Sequence, residues 1–140
     1  MTTGTGSDTW EARTWVLVVD DDEDILEAIH TVLARHGFRT VVTSNAQTAL
    51  RILRRSPPPA AIVVDLRMPF MNGPDLVRAI RNKPALSDMR IIGLSGDEEG
   101  KNIAQDLALD EYLCKPVDIR ELVAAVQRAL PPSDSVEARG

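Results

Sequence analysis

Cysteine is nearly absent from this chain: Cys114 is the only one in 140 residues. A single thiol excludes an internal disulfide framework and fits a reducing compartment. Also lacking is any apolar stretch near the roughly 18 residues that a membrane helix needs. Met1 to Gly6 carry neither basic charge nor an apolar segment, so no secretory signal is visible. These absences predict a soluble, cytoplasmic chain with no membrane partner. No Lys/Arg cluster offsets the net charge of −5, which argues against direct nucleic-acid binding. The two histidines, His30 and His36, have no partners at ligand spacing, so no zinc site is expected. His36 is read as core packing at a helix end and His30 as solvent-exposed.

The length suits one domain with a single core, and a hydrophobic content of 44% is ordinary for a globular protein. Residues 1–13, rich in Thr, Gly and Ser, are expected to be disordered, with Trp10 packing loosely on the domain or touching a partner. Residues 131–140, opening Pro131-Pro132, are expected to form a flexible tail. Between them, over 14–130, five strand-then-helix units follow one another.

Four of the strands end on a reactive residue. Trp15-Val16-Leu17-Val18-Val19 runs into Asp20-Asp21, and Ala60-Ala61-Ile62-Val63-Val64 into Asp65. Ile91-Ile92-Gly93-Leu94 runs into Ser95, and Tyr112-Leu113-Cys114 into Lys115-Pro116. Continuous Val/Ile/Leu runs mark strands buried on both faces of a parallel sheet. Arg39 to Thr43 supplies the remaining strand, the second in chain order. The alternation predicts an α/β three-layer, flavodoxin-like sandwich, with a five-stranded parallel sheet in order 2-1-3-4-5 and five helices. That order makes the first and third strands neighbours, with ligands at their carboxyl ends.

The helix signals fit this frame. Ile25, Ala28, Ile29, Val32, Leu33 and His36 follow a helical spacing, and Gly37 stops the helix. Ser44 with Gln47, and Asp118 with Glu121, look like capping boxes. Pro57-Pro58-Pro59 leads stiffly into the third strand, and Gly73-Pro74 opens the third helix. Helix 4, about Glu98 to Ala108, carries Gly100 and a thin apolar stripe of Ile103, Ala104, Leu107 and Ala108. Its local stability should be low.

Asp20, Asp21, Asp22, Glu23 and Asp24 are consecutive acids. Carboxylates at a helix start explain Glu23, Asp24 and largely Asp22. Asp20 and Asp21 lie at the strand end instead, with Asp65 placed beside them by the topology. Unit charges about 4 Å apart repel by about 4 kcal/mol at an effective dielectric of 20. A cation relieves such a cluster, and all-oxygen ligands point to Mg²⁺, with Mn²⁺ as the other choice. Lys115 and Ser95 at the same edge suit an anion. Cys114, turned away by strand alternation, is read as a buried structural thiol.

The segment Asp65-Leu66-Arg67-Met68-Pro69-Phe70-Met71-Asn72-Gly73 resembles the receiver domain of two-component response regulators. The acidic pair after the first strand, Ser95 after the fourth and Lys115-Pro116 after the fifth complete that family's pattern over about 14–130. So does the run Leu109-Asp110-Glu111-Tyr112-Leu113-Cys114 before the lysine. The resemblance implies a phosphoacceptor, Asp65, taking a phosphoryl group from a sensor histidine kinase or phosphotransfer protein. It implies Mg²⁺ held by Asp20, Asp21, Asp65 and the backbone carbonyl of Arg67. Lys115 would pair with a phosphate oxygen, Ser95 would donate its hydroxyl, and the Lys115–Pro116 bond would be cis. Catalysis would be confined to the domain's own phosphorylation and dephosphorylation, so it is not expected to be an enzyme.

Ser95 and Tyr112 would form the switch, and helix 4, strand 5 and helix 5 the output surface, meeting a downstream protein effector or a second copy of the chain. Arg67 and Asp97, each two residues past a site residue, are expected at the mouth of the site, where a pair would hinder hydrolysing water. The kinase is expected near helix 1 and the loop after strand 5, with Leu26 exposed and Glu27, His30 and Thr31 beside it. Two competing readings are weak. A haloacid-dehalogenase-like phosphatase needs an Asp where Arg67 stands, and a flavin module needs a Ser/Thr/Gly-rich loop where the acidic run stands. The chain is read as a stand-alone receiver or as a segment of a longer regulator or hybrid histidine kinase.

Overall fold

The computed structural model describes residues 14–67, 73–87, 89–96, 101–102 and 105–129. Trp10, Asp97, the N-terminal segment 1–13 and the tail 131–140 lie outside these residues. Five strands alternate with helices: β1 Trp15–Val19, α1 Glu23–Arg35, β2 Arg39–Thr43, α2 Ala46–Arg55, β3 Ala61–Asp65 and α3 Gly73–Arg81. A 3₁₀ turn at Pro84–Leu86 leads to β4 Arg90–Ser95 and β5 Glu111–Cys114, and the C-terminal helix Ile119–Gln127 completes the domain. The strands form one sheet in the order β2-β1-β3-β4-β5, with every pair parallel.

The fully buried runs of β1 and β3 are the central strands, where both faces are covered. Alternate side chains feed two cores. Trp15, Leu17, Val19, Ile62, Val64 and Ile91 meet Ala49 and Leu53 of α2 and Leu76, Val77 and Ile80 of α3. Val16, Val18, Val63, Ile92 and Leu94 meet Leu26, Ile29 and Leu33 of α1 and Leu122, Ala125 and Val126 of the C-terminal helix. Trp15 is wholly buried, and its indole N–H donates to the Pro57 carbonyl at 3.0 Å. The proline run thus satisfies the one polar atom of the largest core side chain.

Several local expectations need correction. Among the described residues four α-helices are complete. Of the helix expected over 98–108, Lys101, Asn102, Gln105 and Asp106 are helical and Leu107 and Ala108 form a turn. Leu26 is buried, not exposed. The apolar stripe of α1 is wide enough that Ile25 and Leu26 both fit it, and packing between sheet and C-terminal helix seats Leu26 deeper. His36 is exposed as the cap of α1, its Nδ1 3.1 Å from the Val32 carbonyl, and Phe38 takes the core position instead. Cys114 is exposed, because it ends a short edge strand whose last residue is uncovered. Asn45, not Ser44, caps α2, accepting from the Thr48 N–H at 3.0 Å. Gly37 leaves α1 with φ +88°, a conformation that favours glycine.

Candidate functional site

The site is built from strand ends. Register places Val19 beside Val64, so Asp20 and Asp65 emerge from adjacent strands at one edge. Ser95 ends β4 and pairs with Cys114, and the Lys115 N–H donates to the Ser95 carbonyl at 2.9 Å. Asp20, Asp65 and Ser95 are the buried polar residues of the described chain. Asp21 is exposed beside them.

Backbone groups fix both buried carboxylates. The Asp22 N–H donates to Asp20 Oδ1 at 2.9 Å, and the Arg67 N–H donates to Asp65 Oδ1 at 3.0 Å. Each aspartate thus closes an Asx turn as the chain leaves its strand. Asp22 itself caps α1, accepting from the Asp24 and Ile25 N–H groups at 2.9 and 3.3 Å. Lys115 Nζ donates to Asp65 Oδ2 at 3.1 Å and lies 3.1 Å from Asp20 Oδ2. The second contact is ionic and lacks the direction of a hydrogen bond, so Asp20 Oδ2 is buried with no directed donor among the described residues.

Burial is the main reason that the Asp20 carboxyl is raised from 3.8 to about 6. The Asp22 N–H opposes this, the Asp65 charge adds to it, and Lys115 opposes it. For Lys115, burial works against the charged form, but the hydrogen bond to Asp65 and the close ionic contact with Asp20 outweigh it and hold the ammonium above its ordinary value.

One carboxylate oxygen from each of Asp20, Asp21 and Asp65 lies within 4.8 Å of the others. Oxygens around one Mg²⁺ at about 2.1 Å stand at most about 4.2 Å apart, so small side-chain adjustments suffice. Three hard oxygen donors, one exposed to water, and an undonated Asp20 Oδ2 fit a divalent cation that keeps several waters.

The other expected residues fall as follows. The Lys115–Pro116 peptide is cis. The Arg67 side chain is exposed. Its intended partner Asp97 lies outside the described residues. Tyr112 is half-buried, opposite Gly93, and packs against the core shared with α2 and α3. Glu27, His30 and Thr31 are exposed. A groove of about 700 Å³ runs beside α1, lined in part by Leu26, Glu27, His30 and Val42. Three features of the site were not read from the sequence: the two Asx turns, the Lys115–Asp20 contact and the tight approach of Gly73 to Asp65. Only the turns had a signal, a strand-terminal aspartate.

The chain matches the response regulator receiver domain over residues 16–127. It is 36% identical over 122 residues to an uncharacterized 14.6 kDa protein of Leptolyngbya boryana, covering 84% of this chain and 92% of that one. It is 36% identical over 131 residues to the DNA-binding response regulator MtrA of Mycobacterium tuberculosis, covering 90% of this chain but 54% of the regulator. A putative response regulator from Chloroflexus aurantiacus superposes with a TM-score of 0.77 at 27% identity, over 84% of this chain and 97% of that structure. This chain therefore belongs to the response regulator receiver domain family. Such domains are signalling modules of two-component systems rather than classical enzymes. The chain spans about half the length of the mycobacterial regulator it matches. No helix among the described residues is long and apolar enough to cross a membrane.

Proposed function

We propose that this chain accepts a phosphoryl group on Asp65 from a sensor histidine kinase or phosphotransfer protein. The observation that carries this reading is the Asp65 carboxylate, buried at a strand end, tied to Lys115 and clustered with Asp20 and Asp21. Asp20, Asp21, Asp65 and the Arg67 carbonyl would hold Mg²⁺, or Mn²⁺. The ion would neutralise charge among the acids and the incoming phosphate.

The chain's own groups do the rest. An Asp65 oxygen attacks phosphorus, and the P–N bond of the phosphohistidine breaks as the P–O bond forms. The electron pair leaves with the histidine ring of the donor. The Arg67 N–H holds Asp65 Oδ1, leaving Oδ2 to react once Lys115 turns from carboxylate to phosphate oxygen. Ser95, buried at the end of β4, would donate its hydroxyl to the same group. The product carries added negative charge and strong acceptor oxygens, which draw on Ser95 and Lys115 together. Tyr112, half-buried on β5, supports a coupled change over helix 4, β5 and the C-terminal helix, toward a protein effector or a second copy. A cytoplasmic location fits a kinase partner.

The acidic face of α1, with Glu27, His30 and Thr31 exposed, supports kinase docking there. Leu26, being buried, drops out as a contact. The pairing of Arg67 with Asp97 as a brake on hydrolysis belongs to the same reading. A metal-dependent phosphatase of the Asp-nucleophile kind is disfavoured, because the residue two past Asp65 is Arg67 rather than an acid.

Incubation with acetyl phosphate and MgCl₂, read by intact mass, tests the proposal. One acid-stable, base-labile phosphoryl group is expected, lost on Asp65→Asn and in EDTA. Labelling of Asp65→Asn equal to the wild type overturns it.

A further inference from the structure

We infer that Gly73 is a positioning residue for the Asp65 carboxylate: its bare backbone lets the first turn of α3 rest against the Asp65–Leu66 peptide, which sets where the nucleophile points. The inference rests on Asp65 being the phosphoacceptor, and adds a residue remote from the phosphate to its machinery.

A Cβ at Gly73 would lie 2.5 Å from the Asp65 carbonyl oxygen, 2.9 Å from Leu66 Cα and 3.3 Å from the Asp65 carbonyl carbon. All three are backbone atoms, so no side-chain rotation relieves the overlap. Ordinary contact begins at 3.4 Å, so the two backbones must part by about 0.9 Å. Gly73 does not adopt a positive φ, so the demand is for space and not for an unusual conformation.

The opening has few places to go. On the helix side, Leu76, Val77 and Ile80 are buried against the sheet and hold α3 in place. On the strand side, the Leu66 N–H is bonded to the Leu94 carbonyl at 2.9 Å. The next N–H, of Arg67, holds Asp65 Oδ1 at 3.0 Å. A push on the Asp65–Leu66 peptide therefore passes to the carboxylate through the amide that orients it. A misplacement of about 1 Å in a reacting group can lower a rate about 100-fold. The Arg67 carbonyl moves with the same segment.

The test compares Gly73→Ala with Gly37→Ala. Gly37 stands outside the site, with φ +88° and nothing within 4 Å of where a Cβ would sit, so alanine there strains the fold without touching the chemistry. Phosphoryl incorporation from acetyl phosphate in saturating MgCl₂ is measured across donor concentrations and divided by the folded fraction from circular dichroism. Gly73→Ala is expected to lose about 10- to 100-fold in maximal rate per folded molecule, with the half-saturating donor concentration unchanged. Gly37→Ala is expected to match the wild type on that scale. Equal maximal rates for the two variants overturn the inference while leaving the phosphoacceptor reading intact. A wild-type chain that takes no phosphoryl group overturns both. If Gly73→Ala does not fold, Leu76→Ala decides, since it loosens the seat of α3 while keeping the glycine. It must be at least about fivefold slower per folded molecule than Val126→Ala, a core truncation beneath the C-terminal helix. Equality there also overturns the inference.

Discussion

Lys115 Nζ sits 3.1 Å from Asp20 Oδ2, as close as it sits to Asp65 Oδ2. One ammonium therefore serves two buried carboxylates from different strands. Removing it leaves both charges unbalanced, and breaking such pairs from one side is expensive. Lys115→Ala should lower stability in EDTA by roughly 2–3 kcal/mol, reduced from the fully buried case because the lysine is partly exposed. Added MgCl₂ should restore more stability to the variant than to the wild type. Thermal melts with and without Mg²⁺ check this, and equal Mg²⁺-induced shifts would contradict it.

The raised Asp20 carboxyl gives a pH dependence with a definite sign. Its native value of about 6 exceeds the ordinary 3.8, so the native state holds this proton more tightly than the unfolded chain does. Its contribution to stability is complete below about pH 3.8 and is lost as pH rises through about 6. Asp20→Asn cannot ionise and escapes that loss. In EDTA, the variant's advantage over wild type should grow by roughly 1–3 kcal/mol between pH 4 and pH 7. Urea unfolding at the two pH values measures it, and a constant difference would sink the explanation.

Glu111 lies under two arginines. Arg128 donates to both of its oxygens, and Arg90 Nη2 donates to Oε2 at 2.9 Å. The Arg128 hydrogen bond is the main reason that the Glu111 carboxyl is held below its ordinary 4.5, opposed by burial and helped by Arg90. This stabilisation is present above pH 4.5 and fades as pH falls through the lower native value. Glu111→Ala should lower stability by roughly 1–3 kcal/mol at pH 7, because Arg90 loses a partner in a half-buried place. Arg128→Ala should cost less than Glu111→Ala, since that side chain is half exposed and its pairing is screened by solvent. Chemical denaturation of both variants tests the order, and the reverse order refutes it.

Ala108 has φ +56°, the left-handed region that non-glycine residues avoid. It is held there because its carbonyl accepts from Arg81 Nη2 at 3.4 Å, while Arg81 also reaches the Met89 carbonyl at 2.7 Å and Asp110 Oδ2 at 3.1 Å. Ala108→Gly should raise stability by roughly 0.5–1 kcal/mol, relief of strain exceeding the added freedom of the unfolded chain. A lower melting temperature for this variant would show that the strain is absent.

Much of this molecule was legible in advance because the signals were local and repeated. Val16 to Val19 and Ala61 to Val64 could only be central strands, and their order placed Asp20 beside Asp65. The motif residues Ser95 and Lys115 then fell at the same edge. Illegible features depended on which neighbour covers a residue. Leu26 and Ile25 differ only in helix phase, which tertiary packing decides. Cys114 obeys strand alternation, but it is exposed at the end of β5, where nothing among the described residues covers it. His36 fits the apolar spacing of α1, yet the helix ends before it and Phe38 fills the place. Gly73 is a letter in a motif, and only the folded chain shows which atoms its missing side chain would strike.

The parallel sheet gathers its working groups from nearly the whole chain. Asp20 leaves the ribosome early and Lys115 late, so an emerging polypeptide holds its acids long before their counter-ion exists. Until residue 115 is made and β5 docks, Asp20 and Asp65 meet with nothing between them but water and dissolved ions. A product truncated before β5 would therefore keep both buried carboxylates without the ammonium that stands 3.1 Å from each.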